Sequence, residues 1–505
     1  MTRFVNFRWG LDGSRQELLV EAGRVRSRAE KVEGGSKVVD LGGAFLLPAF
    51  IDSHCHILPT GLDLADLHLG HCQTREDVLE ALRERERTLK PGEWLMAVHY
   101  DQTKYPDARH LTRQELDAII GERPTLLRHS NGHAGVANSA ALRAAGIDGQ
   151  TPDPRGGTYV RDEAGQLTGV LLETALERVE ESTPKPTVEE MTQAIGAAGE
   201  RMASLGIACA SDMMTGFLDL EEELTAYRQA LERGCPIRIR LYLQWSCVFG
   251  KRAVAKEVLD DFRRRVSEDR GKIAGIKIFA DGAIGSATAA IYGAFNTTGG
   301  DGQLIYAPDR LKEMVRVADE AGYAVSIHSI GDRSTDLVMD AFEACGDPTK
   351  HRIEHVMILS DAQIERLKRV GCHATMQPEF LLRFPHSYRR QLPADTFQML
   401  ERFRSVHRAG IPLSLSSDRP IVPGDPWDGI LTAENRPEGF DPSENLPRKN
   451  GFLAYTAEAS AVNGDGRSQG TLEPGSLADF CLYDDNPFAP GKPKVQRLYV
   501  GGEPV

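Results

Sequence analysis

The sequence predicts an α/β protein built on a (β/α)8, or TIM, barrel, and three observations carry that expectation. Strand-like apolar runs alternate with amphipathic helical patterns through most of the chain, which implies a parallel sheet. The runs number eight once the stretch that ends at His54-Cys55-His56 is included. Polar residues suited to catalysis stand at or near the C-terminal ends of these runs, where such barrels carry their active sites. That coincidence favours a closed barrel over an open sheet.

The first run is Phe45-Leu46-Leu47-Pro48-Ala49-Phe50-Ile51-Asp52, which leads straight into His54 and His56. Thr187-x-x-Glu190 is a capping box, and the amphipathic run it opens stops at Gly206. Strands are then expected at residues 207–213, 237–244, 275–281, 323–331, 351–356, 372–378 and 411–418. Helices fall between them, among them 310–321, 334–345 and 361–370. Residues 123–133 also read as a strand, after a helix opened by Thr112-x-x-Glu115, and this is one strand too many for the barrel. At the N-terminus 16–21 and 37–41 read as short strands, and at the C-terminus 475–483 and 495–500, with Gly501-Gly502 turning the chain.

The chemistry lies in the residues that close the runs. His54 and His56 are two apart, so on a strand they point the same way and form a chelating pair suited to zinc or a similar divalent ion. Lys277 lies in Gly275-Ile276-Lys277-Ile278-Phe279, and His328 ends Tyr323-Ala324-Val325-Ser326-Ile327-His328. His355 ends His351-Arg352-Ile353-Glu354-His355, and Asp418 ends Ile411-Pro412-Leu413-Ser414-Leu415-Ser416-Ser417-Asp418. A single histidine on an apolar strand is commonly a satisfied core residue; the joint pattern points to a metal site. Cys55 alternates away from its histidine neighbours and is expected to pack. The cluster His68-Leu69-Gly70-His71-Cys72 lacks a fourth partner nearby and is not read as a second zinc site.

The order His-x-His, Lys, His, His, Asp on successive strands resembles the metal-dependent amidohydrolase superfamily. Ile276-Lys277-Ile278-Phe279-Ala280-Asp281-Gly282, His328-Ser329-Ile330-Gly331-Asp332 and Asn131-Gly132-His133 narrow the likeness to its amidohydrolase-3, YtcJ-like group. The resemblance runs from about residue 38 to the C-terminus. It implies that both termini, 1–47 and 466–505, join in a small β-sandwich beside a barrel domain of 48–465. The family order puts Lys277 on strand four, His328 on five, His355 on six and Asp418 on eight. Residues 60–186, which contain the surplus strand, then form an insertion after the first barrel strand, over the active-site face.

The resemblance also implies roles. His54 and His56 would hold one metal and His328 and His355 a second, so one or two divalent ions per chain, zinc by preference, are expected. The lysine equivalent to Lys277 is carboxylated by carbon dioxide in the family and bridges the two metals; a snorkelling surface lysine is the bland alternative. Asp418 would ligate metal and act as the shared acid–base. His133 and Glu173 match the family pattern and are candidates to reach the substrate or the metals, with Glu173 the rival bridge. Asp281 is a further candidate beside the site. Asp332, four residues past His328, reads either as an imidazole's partner or as a helix N-cap. After Gly132-His133 the run Ala134-Gly135-Val136-Ala137-Asn138-Ser139 lacks the aromatic often found there, so no relative's substrate carries over.

The function expected is hydrolysis of a non-peptide C–N bond in a small amide, formamide or cyclic amide by metal-activated hydroxide. Ester, lactone or phosphotriester hydrolysis would use the same residues. A catalytically inactive regulatory homologue is the alternative from another class, but it predicts a lost ligand and every position is filled. Composition fits an ordinary soluble globular protein of more than one structural unit: 505 residues, 41% hydrophobic and 26% charged, with a formal charge of −13. No long basic run appears, so nucleic acid is not an expected partner. No apolar segment is long enough for a bilayer, and eight cysteines without a Cys-x-x-Cys pair fit a reducing cytoplasm. A small-molecule substrate is the expected partner, with homo-oligomerisation left open.

Overall fold

The computed structural model describes residues 1–34, 37–130, 134–154 and 156–505. Eight strands form one sheet in which every neighbouring pair is parallel: Phe50–Cys55, Ile207–Thr215, Arg238–Gln244, Gly271–Phe279, Ala324–Ser329, Arg352–His355, His373–Met376 and Leu413–Leu415. The last strand returns to the first. Asp418 N–H donates to His54 O (2.7 Å) and His56 N–H to Arg419 O (2.8 Å). The Asp52 carboxylate adds to this seam by accepting Ser417 N–H (3.0 Å). The barrel is thus closed through the residues that carry the site. Its strands are buried on both faces, as parallel strands covered by helices must be; all of Phe50–Cys55 is buried.

Local signals explain the intervening helices. Glu190 N–H donates to Thr187 Oγ1 while the Glu190 carboxylate accepts Thr187 N–H, and the helix Val188–Ser204 follows. Ser360 and Gln363 form the same reciprocal cap ahead of Asp361–Val370, which ends at Gly371 in the left-handed region (φ +79°).

Both termini enter a second sheet. Phe480–Tyr483 pairs antiparallel with Phe45–Pro48, and Thr2–Trp9, Arg15–Glu21, Arg24–Ala29, Lys37–Asp40, Arg497–Val500 and Glu503–Pro504 complete it. Phe4, Phe7, Leu18, Leu46, Phe480 and Tyr499 pack as its core. Asp479 takes a two-pronged ion pair from Arg238 on the third barrel strand (2.7 and 2.8 Å), which ties this sheet to the barrel. Three strands of this sheet were not expected: the two-residue Glu503–Pro504 after the Gly501-Gly502 turn, and two longer ones. In Thr2–Trp9 a bulge between Phe4 and Phe7, with Asn6 at φ +56°, breaks the two-residue alternation that marks a strand. In Arg24–Ala29 only Val25 is buried, so an arginine-rich edge strand reads as a charged loop.

Residues 61–190 form a separate compact unit. Its six-stranded sheet runs in the order Gly157–Arg161, Leu167–Glu173, Ala134–Ala137, Thr125–His129, Leu95–Tyr100, Leu67–His68. Helices Arg75–Glu86 and Arg113–Ile120 cover a core that includes Leu82, Leu95, Leu116 and Leu127. The surplus strand belongs here as Thr125–His129, and the Thr112–Glu115 capping box opens Arg113–Ile120.

Candidate metal centre

Alternation along Phe50–Cys55 turns His54 into the barrel, and His56 follows one residue past the strand end on the same side. Their rings lie 5.5 Å apart between centroids, and their Nε2 atoms are 3.3 and 2.9 Å from Oδ1 of Asp418. These three side chains bring their ligand atoms together closely enough to hold one metal ion. His355 stands 4.8 Å from the His54 ring and 4.6 Å from the His328 ring, so the four imidazoles form a continuous cluster. Lys277, on the fourth strand, is 1% exposed, and its Nζ has no hydrogen-bond partner among the described residues.

Three imidazoles are each anchored through one nitrogen. His54 Nδ1–H donates to Glu354 Oε2 (2.6 Å), His328 Nε2–H to Gly282 O (2.9 Å), and His355 Nδ1–H to Gln377 Oε1 (2.8 Å). Each bond fixes a tautomer and leaves the opposite nitrogen with its lone pair, the arrangement a metal ligand requires. Glu354 is itself braced by Ser326 Oγ–H (2.6 Å) and by the Arg352 guanidinium. His355 and Asp418 both adopt left-handed backbone, at φ +73° and +60°. Strain at two neighbouring polar residues is the kind a functional site retains.

The electrostatics suit a cation. Burial works against ionisation of Asp418, yet His54 and His56 hold its carboxyl well below the usual carboxylate range. Burial also opposes charge on Glu354, and Arg352 and His54 outweigh it, so this carboxyl too is held down. Burial brings the Lys277 amine down to about 8, with Glu354 and Asp418 opposing the shift. Burial, reinforced by His328 and His54, pushes His355 far below the ordinary imidazole range. Among the described residues the buried Lys277 Nζ has no hydrogen-bond partner, and Asp418 Oδ1 meets only the two imidazole Nε2 atoms, an oxygen and two nitrogens of the hard-to-borderline kind that divalent metals take.

The other residues singled out in the sequence fall as follows. Asp281 is buried and accepts Ile330 N–H, Gly331 N–H, Ala290 N–H and Ser334 Oγ–H, at 2.7 to 3.0 Å, with its Oδ1 3.5 Å from His328 Nε2. It ties the turn that follows the His328 strand to the start of the next helix. Among the described residues Asp332 partners no imidazole: it is the first residue of the helix Asp332–Glu343 and its Oδ1 accepts Tyr292 N–H and Arg333 N–H. One donor, Arg333 N–H, is among the otherwise unpaired N–H groups of the helix start, and the other comes from the loop at Tyr292. Glu173 ends the strand Leu167–Glu173 of the other unit, at φ +51°, and is exposed. His133, with Asn131 and Gly132, lies outside the described residues. Cys55 is buried and donates to Ser211 O (3.3 Å).

Glu354 and Gln377 were not anticipated. The signal for Glu354 was present: Arg352 and Glu354 are an i, i+2 pair of opposite charges on the short strand Arg352–His355, and both are buried. Nothing in the run around Gln377 marks it. A second group of candidate ligands, Asp319, Cys345 and His351, is also close together. There Val325 N–H donates to His351 Nδ1 (3.1 Å), so the proton sits on Nε2, facing Asp319 Oδ1 at 3.3 Å. Lys350 Nζ, 2.6 Å away, already pairs with that carboxylate.

The sequence profile of the amidohydrolase family matches residues 37–505. The chain is 30% identical to YtcJ of Bacillus subtilis (strain 168) over 92% of its own length and 88% of that protein's. It is 27% identical to the N-substituted formamide deformylase of Arthrobacter pascens, covering 96% and 94%. An uncharacterized metal-dependent hydrolase from Pyrococcus horikoshii superposes with a TM-score of 0.79 at 26% identity, over 97% of this chain and 98% of that one. With its closed parallel barrel and its cluster of strand-end histidines and aspartate, the chain belongs to the amidohydrolase family.

Proposed function

We propose that the protein hydrolyses a non-peptide C–N bond in a small amide, formamide or cyclic amide, using one or two zinc ions. The observation that carries this reading is the meeting of His54, His56 and Asp418 beside a buried, unpartnered Lys277. His54 and His56 would hold one ion through Nε2 and share Asp418 with it. His328 through Nδ1 and His355 through Nε2 are the donors for a second. Lys277 would join both as a carbamate: its neutral amine attacks carbon dioxide, the N–C bond forms and a proton is lost, leaving an anionic bridge in place of a repelling ammonium. The lowered basicity of Lys277 supports this, since only the neutral amine reacts. Such ions, when bound, lower the pKa of water and polarise a carbonyl.

The chain's own groups then manage protons and position. Asp418 accepts the proton of the attacking water and returns it to the leaving nitrogen, a role its ionised state and its place between His54 and His56 allow. Glu354 and Gln377 keep the imidazoles of His54 and His355 aimed. The formamide reading also draws on the deformylase relative.

The test is a substrate screen on zinc-replete protein. N-formyl, N-acyl and cyclic amides should turn over, and chelation should abolish the reaction. Turnover of lactones or phosphotriesters with no amide hydrolysed would contradict the C–N assignment, and turnover that survives full chelation would contradict the metal.

A further inference from the structure

His56 differs from the other three imidazoles of the cluster in how it is aimed. His54, His328 and His355 are each anchored through a ring nitrogen, whereas the buried Nδ1 of His56 has no hydrogen-bond partner among the described residues. His56 also lies one residue beyond the strand Phe50–Cys55, past the last pair of the sheet ladder. Its direction toward Asp418 Oδ1 therefore depends on its backbone, and two bonds from distant parts of the chain clamp that backbone. His56 N–H donates to Arg419 O (2.8 Å), which fixes the peptide before its Cα. Ile57 N–H donates to Oδ2 of Asp212 (2.8 Å), which fixes the peptide after it.

Asp212 belongs to the second barrel strand, Ile207–Thr215, where it pairs with Cys55. It is 1% exposed, and no step of the proposed reaction uses it. The helix that starts at Ile57 has no acidic residue in its first turn, so its leading N–H groups need an acceptor from elsewhere. The Asp212 carboxylate supplies one from the neighbouring strand, with Leu58 N–H a longer second donor (3.4 Å). The carboxylate is itself held in place. Tyr227 O–H donates to Oδ2, and Met214 N–H donates to Oδ1 (2.7 Å). Tyr227 is fully buried on the helix Leu220–Glu232. A buried carboxylate engaged on both oxygens has one position, and so has the peptide it receives.

We propose that Asp212 is a positioning residue of the metal centre: by capping the helix at Ile57 it holds the His56 backbone, so that His56 Nε2 meets the metal shared with His54 and Asp418. The proposal rests on His56 being a metal ligand, as the preceding section reads it. Partners that aim a ligand typically change metal affinity by about 10- to 100-fold.

The test is zinc affinity by chelator competition. Asp212→Ala should weaken zinc binding about tenfold, and Asp212→Asn, which keeps an oxygen for Ile57 N–H, should lose less. His56→Ala should also weaken binding, and adding Asp212→Ala to it should cost nothing further, because Asp212 acts through His56. Glu223→Ala is the control for a merely structural effect. It removes a buried carboxylate from the same helix as Tyr227, one that accepts Gly216 N–H (2.6 Å) and Leu218 N–H (2.7 Å) in the loop after the second strand. That variant should melt lower with the zinc affinity of the wild type. Wild-type affinity in Asp212→Ala, losses that multiply in the double variant, or an equal loss in Glu223→Ala would each overturn the proposal. Should Asp212→Ala fail to fold, Asp212→Asn decides. A loss that vanishes in the His56→Ala background supports the proposal, and wild-type affinity overturns it. A wild type that binds no zinc, or a His56→Ala that binds it unchanged, overturns the ligand reading and this inference together; a loss in His56→Ala with both Asp212 variants unaffected overturns this inference alone.

Discussion

Replacing Asp418 with asparagine is expected to lower kcat by about 10²- to 10⁴-fold while leaving the fold and most of the metal in place. The side chain is buried, and its Oδ1 faces His54 and His56 Nε2 at 3.3 and 2.9 Å. Asparagine keeps an oxygen for that position, so coordination is largely spared. It cannot take up a proton from water or deliver one to a leaving nitrogen. The backbone closure also survives, since Asp418 N–H donates to His54 O whatever the side chain. The measurement is kcat against a substrate identified by the screen, beside metal content and a melting curve. Near wild-type turnover would move the acid–base role elsewhere, with His133 the first candidate.

Deleting residues 470–505 is expected to unfold the whole 1–60 and 191–505 unit, not to trim an appendage. Phe480–Tyr483 is the strand against which Phe45–Pro48 pairs, and Phe45–Pro48 leads within two residues into the first barrel strand. Phe480 and Tyr499 stack on each other and meet Phe4 edge-on, so the deletion hollows the core of the N-terminal sheet as well. It also removes Asp479 from Arg238, leaving a buried guanidinium without its partner. That loss alone costs about 3–5 kcal/mol, against a typical total stability of about 5–15 kcal/mol. A truncated chain that stays soluble with an unchanged melting curve would show the terminal strands to be dispensable.

The barrel was legible in the sequence because its strands are buried on both faces and therefore read as continuous apolar runs between helices. All eight runs contain barrel strands, although the first gives Phe45–Pro48 to the terminal sheet before Phe50–Cys55 enters the barrel, and the last spans only Leu413–Leu415 and reaches Asp418 through irregular backbone. Elements that depart from regular alternation were missed. The bulge at Asn6 hides Thr2–Trp9, and the arginines of Arg24–Ala29 hide an edge strand. The surplus strand at Thr125–His129 signalled extra structure after the first barrel strand, but not that it belongs to a six-stranded sheet with its own core.

At the site, ligand candidates were legible because histidines, a lysine and an aspartate at the ends of apolar strands are conspicuous. Their supports were not. Glu354 and Gln377 act through hydrogen bonds to residues 300 and 22 positions away in sequence, and such pairings exist only once the barrel has closed. Asp332 shows the converse. Its spacing from His328 allowed either an imidazole partner or a helix N-cap, and in the structure its carboxylate accepts Arg333 N–H at the helix start and Tyr292 N–H from a loop.

The central claim, a metal centre on the strand ends with Lys277 as an anionic bridge, is tested most directly by elemental analysis of wild type and Lys277→Ala, both expressed with zinc and bicarbonate and purified without chelator. The account predicts one to two equivalents of zinc in the wild type, falling by about one in Lys277→Ala. Less than about half an equivalent in the wild type would contradict the metal centre, and equal content in the two proteins would contradict the bridge.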